Sequence, residues 1–253
     1  MGAHDLGDMY TGADLDVMPD ALAFFIYWDL PLNGPFLSGN GLVLRGTDAR
    51  ADAFRVHSRG QFPKMANYSF DIGNSHWTVL DTYDVDLDWS DPHLRAWLAA
   101  DLAAAKSATW RFVSCYQSPF MSSNAEDKPN NPLYLWNKMR GIVDLFQEGG
   151  VDIVFGGCAH VYERLHPLWF TPNQVPTPLK NPFTKVDGVF QIDDDFVGDG
   201  GRRPEGVLYV VTGNGPWLGP NMTNQPYTNI YFPDPNNDAN PPIKKSFTVL
   251  AGC

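Results

Sequence analysis

A cysteine and a histidine, Cys158 and His160, lie one residue apart immediately after a short apolar segment that ends in two glycines. The segment Val151–Phe155 has the composition of a buried strand, and Gly156 and Gly157 allow the backbone to turn sharply and to approach a ligand closely. Thiolate and imidazole suit zinc or iron better than magnesium. The pair therefore indicates either a site for one metal ion or a buried cysteine beside a hydrogen-bonded histidine.

A second polar segment follows the strand that the sequence predicts over Trp110–Cys115. Cys115 and Gln117 are two residues apart, so their side chains lie on the same side if the strand continues. A thiolate binds soft metals, whereas a carboxamide oxygen suits harder ions. The alternative is that Cys115 and Gln117 only pack and form hydrogen bonds.

Strands and helices alternate around these two polar segments. The predicted elements are a helix over Met18–Leu30, a hairpin over Tyr68–Thr82 with its turn at Gly73-Asn74, a helix from Asp91, the Trp110 strand, a helix from Asn131 to Gly149, the Val151 strand and a strand over Gly206–Thr212. Right-handed crossovers lay such strands parallel, and ligands bind outside the carboxyl ends of parallel strands. The sequence therefore predicts one site at the edge where both polar segments lie.

The composition is that of an ordinary globular protein. Of 253 residues, 43% are hydrophobic and 19% are charged, which is sufficient for a large core in one α/β domain. A net charge of −11 without a basic run argues against binding to nucleic acid or to an anionic membrane. We find no apolar run as long as a membrane span and no signal-peptide pattern at the N-terminus. The three cysteines are too few for a disulfide framework.

Three segments, in their order along the chain, resemble the calcineurin-like metallophosphoesterases and most closely the purple acid phosphatase branch. They are YSFDIGNSHWTVLDT from Tyr68, GGCAHVYERLHP from Gly156 and GVLYVVTGNG from Gly206. The resemblance implies an α/β fold, a two-sheet β sandwich flanked by helices, formed by a single domain over residues 1–253. It also implies an N-terminally truncated form of that fold, because the family's first two metal-binding motifs normally precede the helix predicted at Met18.

The resemblance also assigns roles to individual positions. In the family's last metal-binding motif, Gly-His-x-His, Cys158 stands at the first histidine and His160 matches the second. Gln117 stands at the histidine of the preceding motif, and Ala3 stands at a metal-binding asparagine. The candidate metal ligands are therefore Gln117, Cys158 and His160. His4 matches the histidine that lies beside the phosphate ester, so it is the candidate catalytic residue.

Three functions follow from these positions. The first is a phosphoesterase-type hydrolase that cleaves phosphate esters with iron, zinc or manganese in a degenerate metal site. The second is a catalytically inactive phosphatase-like protein without a metal, which binds a protein partner or assembles with itself. The third is a site for one soft metal ion formed by Cys115, Cys158 and His160, or a disulfide between the two cysteines. The resemblance also implies a secreted or periplasmic location, although no export signal is visible.

Overall fold

The carboxyl ends of four parallel strands meet at one edge of a six-stranded sheet in the computed structural model of the chain. The structure describes residues 14–17, 22–35, 44–62, 64–82, 91–121, 139–157, 162–173, 186 and 188–213. The strands are β1 (Tyr68–Ile72), β2 (Ser75–Leu80), β3 (Trp110–Cys115), β4 (Ile153–Gly156), β5 (Tyr162–Arg164), β6 (Leu168–Pro172), β7 (Gly188–Ile192) and β8 (Leu208–Thr212). The helices are α1 (Phe24–Tyr27), α2 (Asp48–His57), α3 (Pro92–Ala104) and α4 (Val143–Glu148), with short 3-10 turns at Lys64–Ala66, Ala105–Ser107 and Arg140–Ile142.

The main sheet has the strand order β1-β2-β3-β4-β8-β5. Strands β2, β3, β4 and β8 are parallel to one another, whereas the outermost strands β1 and β5 pair antiparallel with β2 and β8. Strands β6 and β7 form a separate antiparallel sheet. The predicted α/β fold with two sheets and the predicted parallel order of the middle strands are confirmed.

The β1–β2 hairpin has the two-residue turn that the sequence predicts. Ile72 pairs with Ser75, which leaves Gly73 and Asn74 as the turn, and Gly73 has a φ of +59°. Two-residue turns that match strand twist need positive φ, and glycine adopts it without strain.

Helix α3 begins where its capping residue requires. The Asp91 side chain accepts hydrogen bonds from the backbone N–H groups of His93 (2.7 Å) and Leu94 (3.2 Å), and Pro92 occupies the first turn. Both features are typical of helix starts. Its apolar face, Leu94, Leu98 and Leu102, is fully buried, as the spacing predicts.

One predicted helix is shorter in the structure than the sequence predicts. Only Phe24–Tyr27 is helical in the described part of the Met18–Leu30 segment, and Trp28 is already extended (φ −102°, ψ 152°). Pro31 disfavours helical backbone at the residue before it, and Phe25 is held in an aromatic cluster by Phe54 and Phe62 instead. The helix predicted from Asn131 is described from residue 139 onward, where it ends at Gly149 as expected.

The main core lies between one face of the sheet and the helices α3 and α4. Alternate residues of four parallel strands point into it, and Leu80, Val113, Val154 and Tyr209 are all inaccessible to solvent. The alternation follows from the two-residue period of a strand. A second cluster surrounds Phe25 and contacts Tyr116, just beyond the end of β3.

A buried glutamine attaches the small sheet to this core. The Gln147 side chain in α4 donates to the carbonyl oxygen of Phe170 (3.0 Å) and accepts from the Phe170 N–H (2.7 Å). Phe170 lies in β6 and is itself buried. One carboxamide therefore satisfies both backbone polar groups of a buried strand residue.

Replacement of Gln147 by alanine is expected to lower the free energy of unfolding by about 2–4 kcal/mol, because it leaves two buried backbone groups unpaired. Glu148→Ala is the matched control, since it changes the exposed neighbour in the same helix. Urea unfolding of both variants measures the difference. Equal stabilities of the two variants would show that Phe170 does not depend on Gln147.

Candidate functional site

The carboxyl ends of β2, β3, β4 and β8 are connected by hydrogen bonds between the segments that follow them. The Gln117 N–H donates to the Thr82 hydroxyl (2.7 Å), which links the segments after β3 and β2. The Gly157 N–H donates to the Tyr116 carbonyl (2.9 Å), which links the segments after β4 and β3. The Thr212 hydroxyl lies 3.4 Å from the Gly156 carbonyl. Hydrogen bonds therefore connect the described ends of the four strands at the edge that the sequence predicts as a site.

Gly156 permits the closest approach at this edge. A Cβ atom added to Gly156 would lie 2.6 Å from the Ser118 Cβ, which is closer than side-chain carbons approach each other. A Cβ added to Gly157 would have no atom of the described residues within 4 Å. Among the described residues, packing therefore requires a glycine at position 156 but not at position 157.

Gln117 is the one candidate metal ligand within the described residues. Gln117 is 1% exposed, and neither its Oε1 nor its Nε2 has a hydrogen-bond partner among the residues that the structure describes. Buried carboxamides in folded proteins are nearly always paired, because an unpaired polar group loses its hydration without compensation. The Gln117 side chain is therefore a buried carboxamide, just after the end of β3, that can both donate and accept a hydrogen bond.

Cys115 is a neutral thiol in this arrangement. It is a free cysteine, and its single S–H proton can be donated to the Gln117 carbonyl (3.1 Å) or to the more distant Phe155 carbonyl (3.6 Å). Burial raises the pKa of Cys115 from 9.0 to about 12. A thiol that keeps its proton is a poor metal ligand, since the thiolate is the form that coordinates. For Cys115, the structure shows packing and hydrogen bonding as a free thiol. The soft-metal hypothesis stays a prediction, because its other two ligands, Cys158 and His160, lie outside the described residues.

A buried tyrosine of β8 lies on the core side of the sheet. Tyr209 in β8 is fully buried, its ring packs edge-on against Phe120 (centroids 4.8 Å apart), and its hydroxyl has no hydrogen-bond partner in the described part of the chain. Burial raises the pKa of Tyr209 well above its ordinary value, and the nearby Cys115 adds to the effect. Both groups therefore stay uncharged on the core side.

The other candidate residues, His4, Cys158 and His160, lie outside the described residues, so their proximity to Gln117 stays a prediction. Across the described ranges, no group of three or more histidine, cysteine, aspartate or glutamate side chains is arranged to hold a metal ion. None of the helices in those ranges combines the length and apolar character that a membrane span requires.

A polar cluster on the hairpin was not predicted from the sequence. Asp71 and His76 face each other across the β1–β2 turn, and Asp101 of α3 lies against the same imidazole ring. The first pair has a sequence signal, because a two-residue turn at Gly73-Asn74 places Asp71 opposite His76. The contact with Asp101 depends on how α3 packs, which no local pattern indicates.

Comparison with known proteins finds sequence relatives at modest identity. An uncharacterized protein of Mycobacterium tuberculosis is 26% identical over 236 residues, covering 84% of this chain and 39% of that protein. Purple acid phosphatase 21 of Arabidopsis thaliana is 32% identical over 139 residues, covering 54% of this chain and 27% of that protein. Purple acid phosphatase 18 of the same plant is 33% identical over 100 residues, covering 38% of this chain and 21% of that protein.

Among solved structures, a purple acid phosphatase isolated from yellow lupin seeds aligns with a TM-score of 0.40 at 17% identity, covering 73% of this chain and 30% of that one. No protein-family model matches the chain. The chain spans about two fifths or less of the length of these curated relatives. Its similarity to purple acid phosphatases over these shares supports the relationship that the three sequence segments predict.

The close contact at Gly156 generates a test with an internal control. Gly156→Ala is expected to lower the free energy of unfolding by about 1–3 kcal/mol, the usual cost of an extra carbon in a packed region. Gly157→Ala, next to it, is expected to change stability by less than about 0.5 kcal/mol. Chemical unfolding of the two variants provides the measurement. A larger loss of unfolding free energy in Gly157→Ala than in Gly156→Ala would contradict the close contact at Gly156.

Proposed function

We propose that this chain is a phosphoesterase-type hydrolase by descent, with phosphate esters as its substrate class, and that its degenerate metal site at the carboxyl edge of the sheet no longer supports two-ion catalysis. Its candidate metal ligands are Gln117, Cys158 and His160, and His4 is the candidate catalytic residue. The kinship with purple acid phosphatases supports the substrate class. The activity of a whole protein that includes this chain is part of the same proposal.

The unpaired carboxamide of Gln117 carries the proposal. An unsatisfied buried donor or acceptor costs about 1–3 kcal/mol, and Gln117 has one of each. A bound ion, water or substrate oxygen at this edge would remove that cost, and buried unpaired groups in native structures commonly have such an explanation. The position is also the one that the family resemblance assigns to a metal ligand.

The donor set fits one metal ion better than two. It offers one carboxamide oxygen, one thiolate and one imidazole, whereas two-ion hydrolysis depends on a larger set that clamps both ions. A bound ion would supply positive charge against the negative phosphoryl group, which a chain of net charge −11 otherwise repels. His4 is proposed to donate a hydrogen bond to the ester, at the phosphate or at the leaving oxygen.

A catalytically inactive binding or structural protein is the second candidate. Ala3, Gln117 and Cys158 replace three family ligands, and an alanine methyl cannot coordinate at all. The neutral, hydrogen-bonded Cys115 does not make up for that loss. The two candidates differ in ligand binding, since the first binds a metal ion and the second binds none.

Restoring two ligands tests where these side chains converge. The double variant Gln117→His, Cys158→His is expected to bind zinc or manganese at least about tenfold more tightly than the unchanged chain, a difference of the size that changes around metal ligands produce. Two neutral imidazoles would then join His160 around one ion. Calorimetry at neutral pH measures the affinity, and binding should weaken as pH falls below the histidine range, because protonated imidazole cannot coordinate.

Gln117→Leu, Cys158→Ala is the matched control, since it fills similar space without any ligand atom. We expect it to remove the metal binding that the unchanged chain shows. Failure of the double-histidine variant to bind more tightly, with its circular dichroism intact, would mean that these positions do not converge. Absence of any metal binding by the unchanged chain would favour the inactive protein.

A further inference from the structure

The four residues that follow β3, 117–120, form a fully buried segment at the candidate edge. The Gln117 N–H donates to the Thr82 hydroxyl (2.7 Å), which fixes the first residue of the segment. The Ser118 hydroxyl donates to the Phe120 carbonyl (2.8 Å), which closes the segment on itself. Because this segment carries Gln117, the contacts that hold it also determine where the candidate ligand lies.

An arginine from the 3-10 turn before α4 contacts the second half of this segment. The Arg140 Nε donates to the Pro119 carbonyl (3.2 Å). Its guanidinium carbon lies 5.3 Å from the centroid of the Phe120 ring and 5.7 Å from that of Phe190 in β7. A cation within about 6 Å of a ring centroid is attracted by the negative face of the ring. One guanidinium group therefore joins the segment after β3 to the small sheet.

The Phe120 side chain is the apolar anchor of this junction. Its ring packs edge-on, with centroids 4.8 to 5.5 Å apart, against the rings of Tyr209 in β8, Phe170 in β6 and Phe190 in β7. Aromatic pairs in such edge-to-face arrangements are favourable beyond the area that they bury. The rings hold the Phe120 side chain, whereas the hydrogen bond from Arg140 holds the backbone at Pro119, one residue nearer to Gln117.

We infer that Arg140 is a positioning residue, which holds the segment 117–120 so that Gln117 stays at the carboxyl edge of the sheet. Pro119 and Gln117 are only two residues apart, so a displacement of the Pro119 backbone is transmitted to Gln117. An arginine suits this role because its planar guanidinium donates within its plane while its faces contact aromatic rings. The inference rests on the proposed function only in treating Gln117 as a site residue.

Amide hydrogen exchange, followed by nuclear magnetic resonance, tests this role without any metal. Arg140→Met keeps an unbranched side chain but removes the charge and the donor. In this variant the Gln117 N–H is expected to exchange at least about tenfold faster relative to the N–H of the buried core residue Val113, the scale of one lost hydrogen bond and two lost cation–π contacts. A global loss of stability would instead accelerate both amides by the same factor.

Arg202→Met is the matched control. Arg202 also places its guanidinium carbon near an aromatic ring, 5.7 Å from the centroid of Phe196, but it lies in the loop after β7. Its exchange ratio between Gln117 and Val113 is expected to equal that of the unchanged chain. Arg140→Lys restores the charge without the planar donor, so its ratio is expected to lie between those of the unchanged chain and Arg140→Met.

Equal acceleration at Gln117 and Val113 in Arg140→Met would overturn the inference, as would the same local acceleration in Arg202→Met. If Arg140→Met does not fold, Arg140→Lys replaces it, and an exchange ratio equal to that of the unchanged chain would contradict the positioning role. The measurement is independent of metal binding. A negative result therefore counts against Arg140 alone, whereas a failure to bind metal counts against the proposed function alone.

Discussion

The parallel register of β2, β3, β4 and β8 is the constraint on which the rest of the structure depends. Leu80 pairs with Cys115, Ser114 with Phe155, and Gly156 with Val211, so four strands end within one or two residues of each other. A slip of one residue would turn every core side chain to the other face of the sheet. The buried hydrophobic face therefore fixes which residues follow the strands at the candidate edge.

The buried polar groups around the sheet are of two kinds, which differ in whether they form hydrogen bonds. The Cys115 thiol and the Gln147 carboxamide are paired with backbone groups, so they stabilise the fold locally. The Gln117 carboxamide, two residues from Cys115, is unpaired. Since the surrounding packing is close enough to exclude a Cβ at Gly156, the chain holds Gln117 in place in spite of its cost.

Features that follow from local spacing or from the handedness of crossovers were predicted well from the sequence. The hairpin turn, the Asp91 cap and the parallel order depend on local spacing and on the handedness of crossovers, which are physical rules with few exceptions. The helix over Met18–Leu30 was predicted too long, because the aromatic contacts of Phe25 are tertiary and are not encoded in a local pattern.

Side-chain pairing across elements was not predictable in the same way. The sequence predicts Gln117 as a site residue, and that role stays a prediction. Its lack of hydrogen-bond partners among the described residues depends on how several segments meet. The contact of His76 with Asp101 depends likewise on the placement of α3 over the hairpin. The convergence of Gln117 with His4, Cys158 and His160 stays a prediction, because those three residues lie outside the described part of the chain.

Hydrolysis of p-nitrophenyl phosphate tests the degenerate metal site most directly. The 253-residue chain should hydrolyse this ester no faster than its Cys158→Ala, His160→Ala variant in buffer supplemented with iron, zinc or manganese, because the ligands are too few to hold two ions. Equal rates support a site that has lost two-ion catalysis. A clear excess of the unchanged chain over the variant would contradict it and would establish a working metal centre.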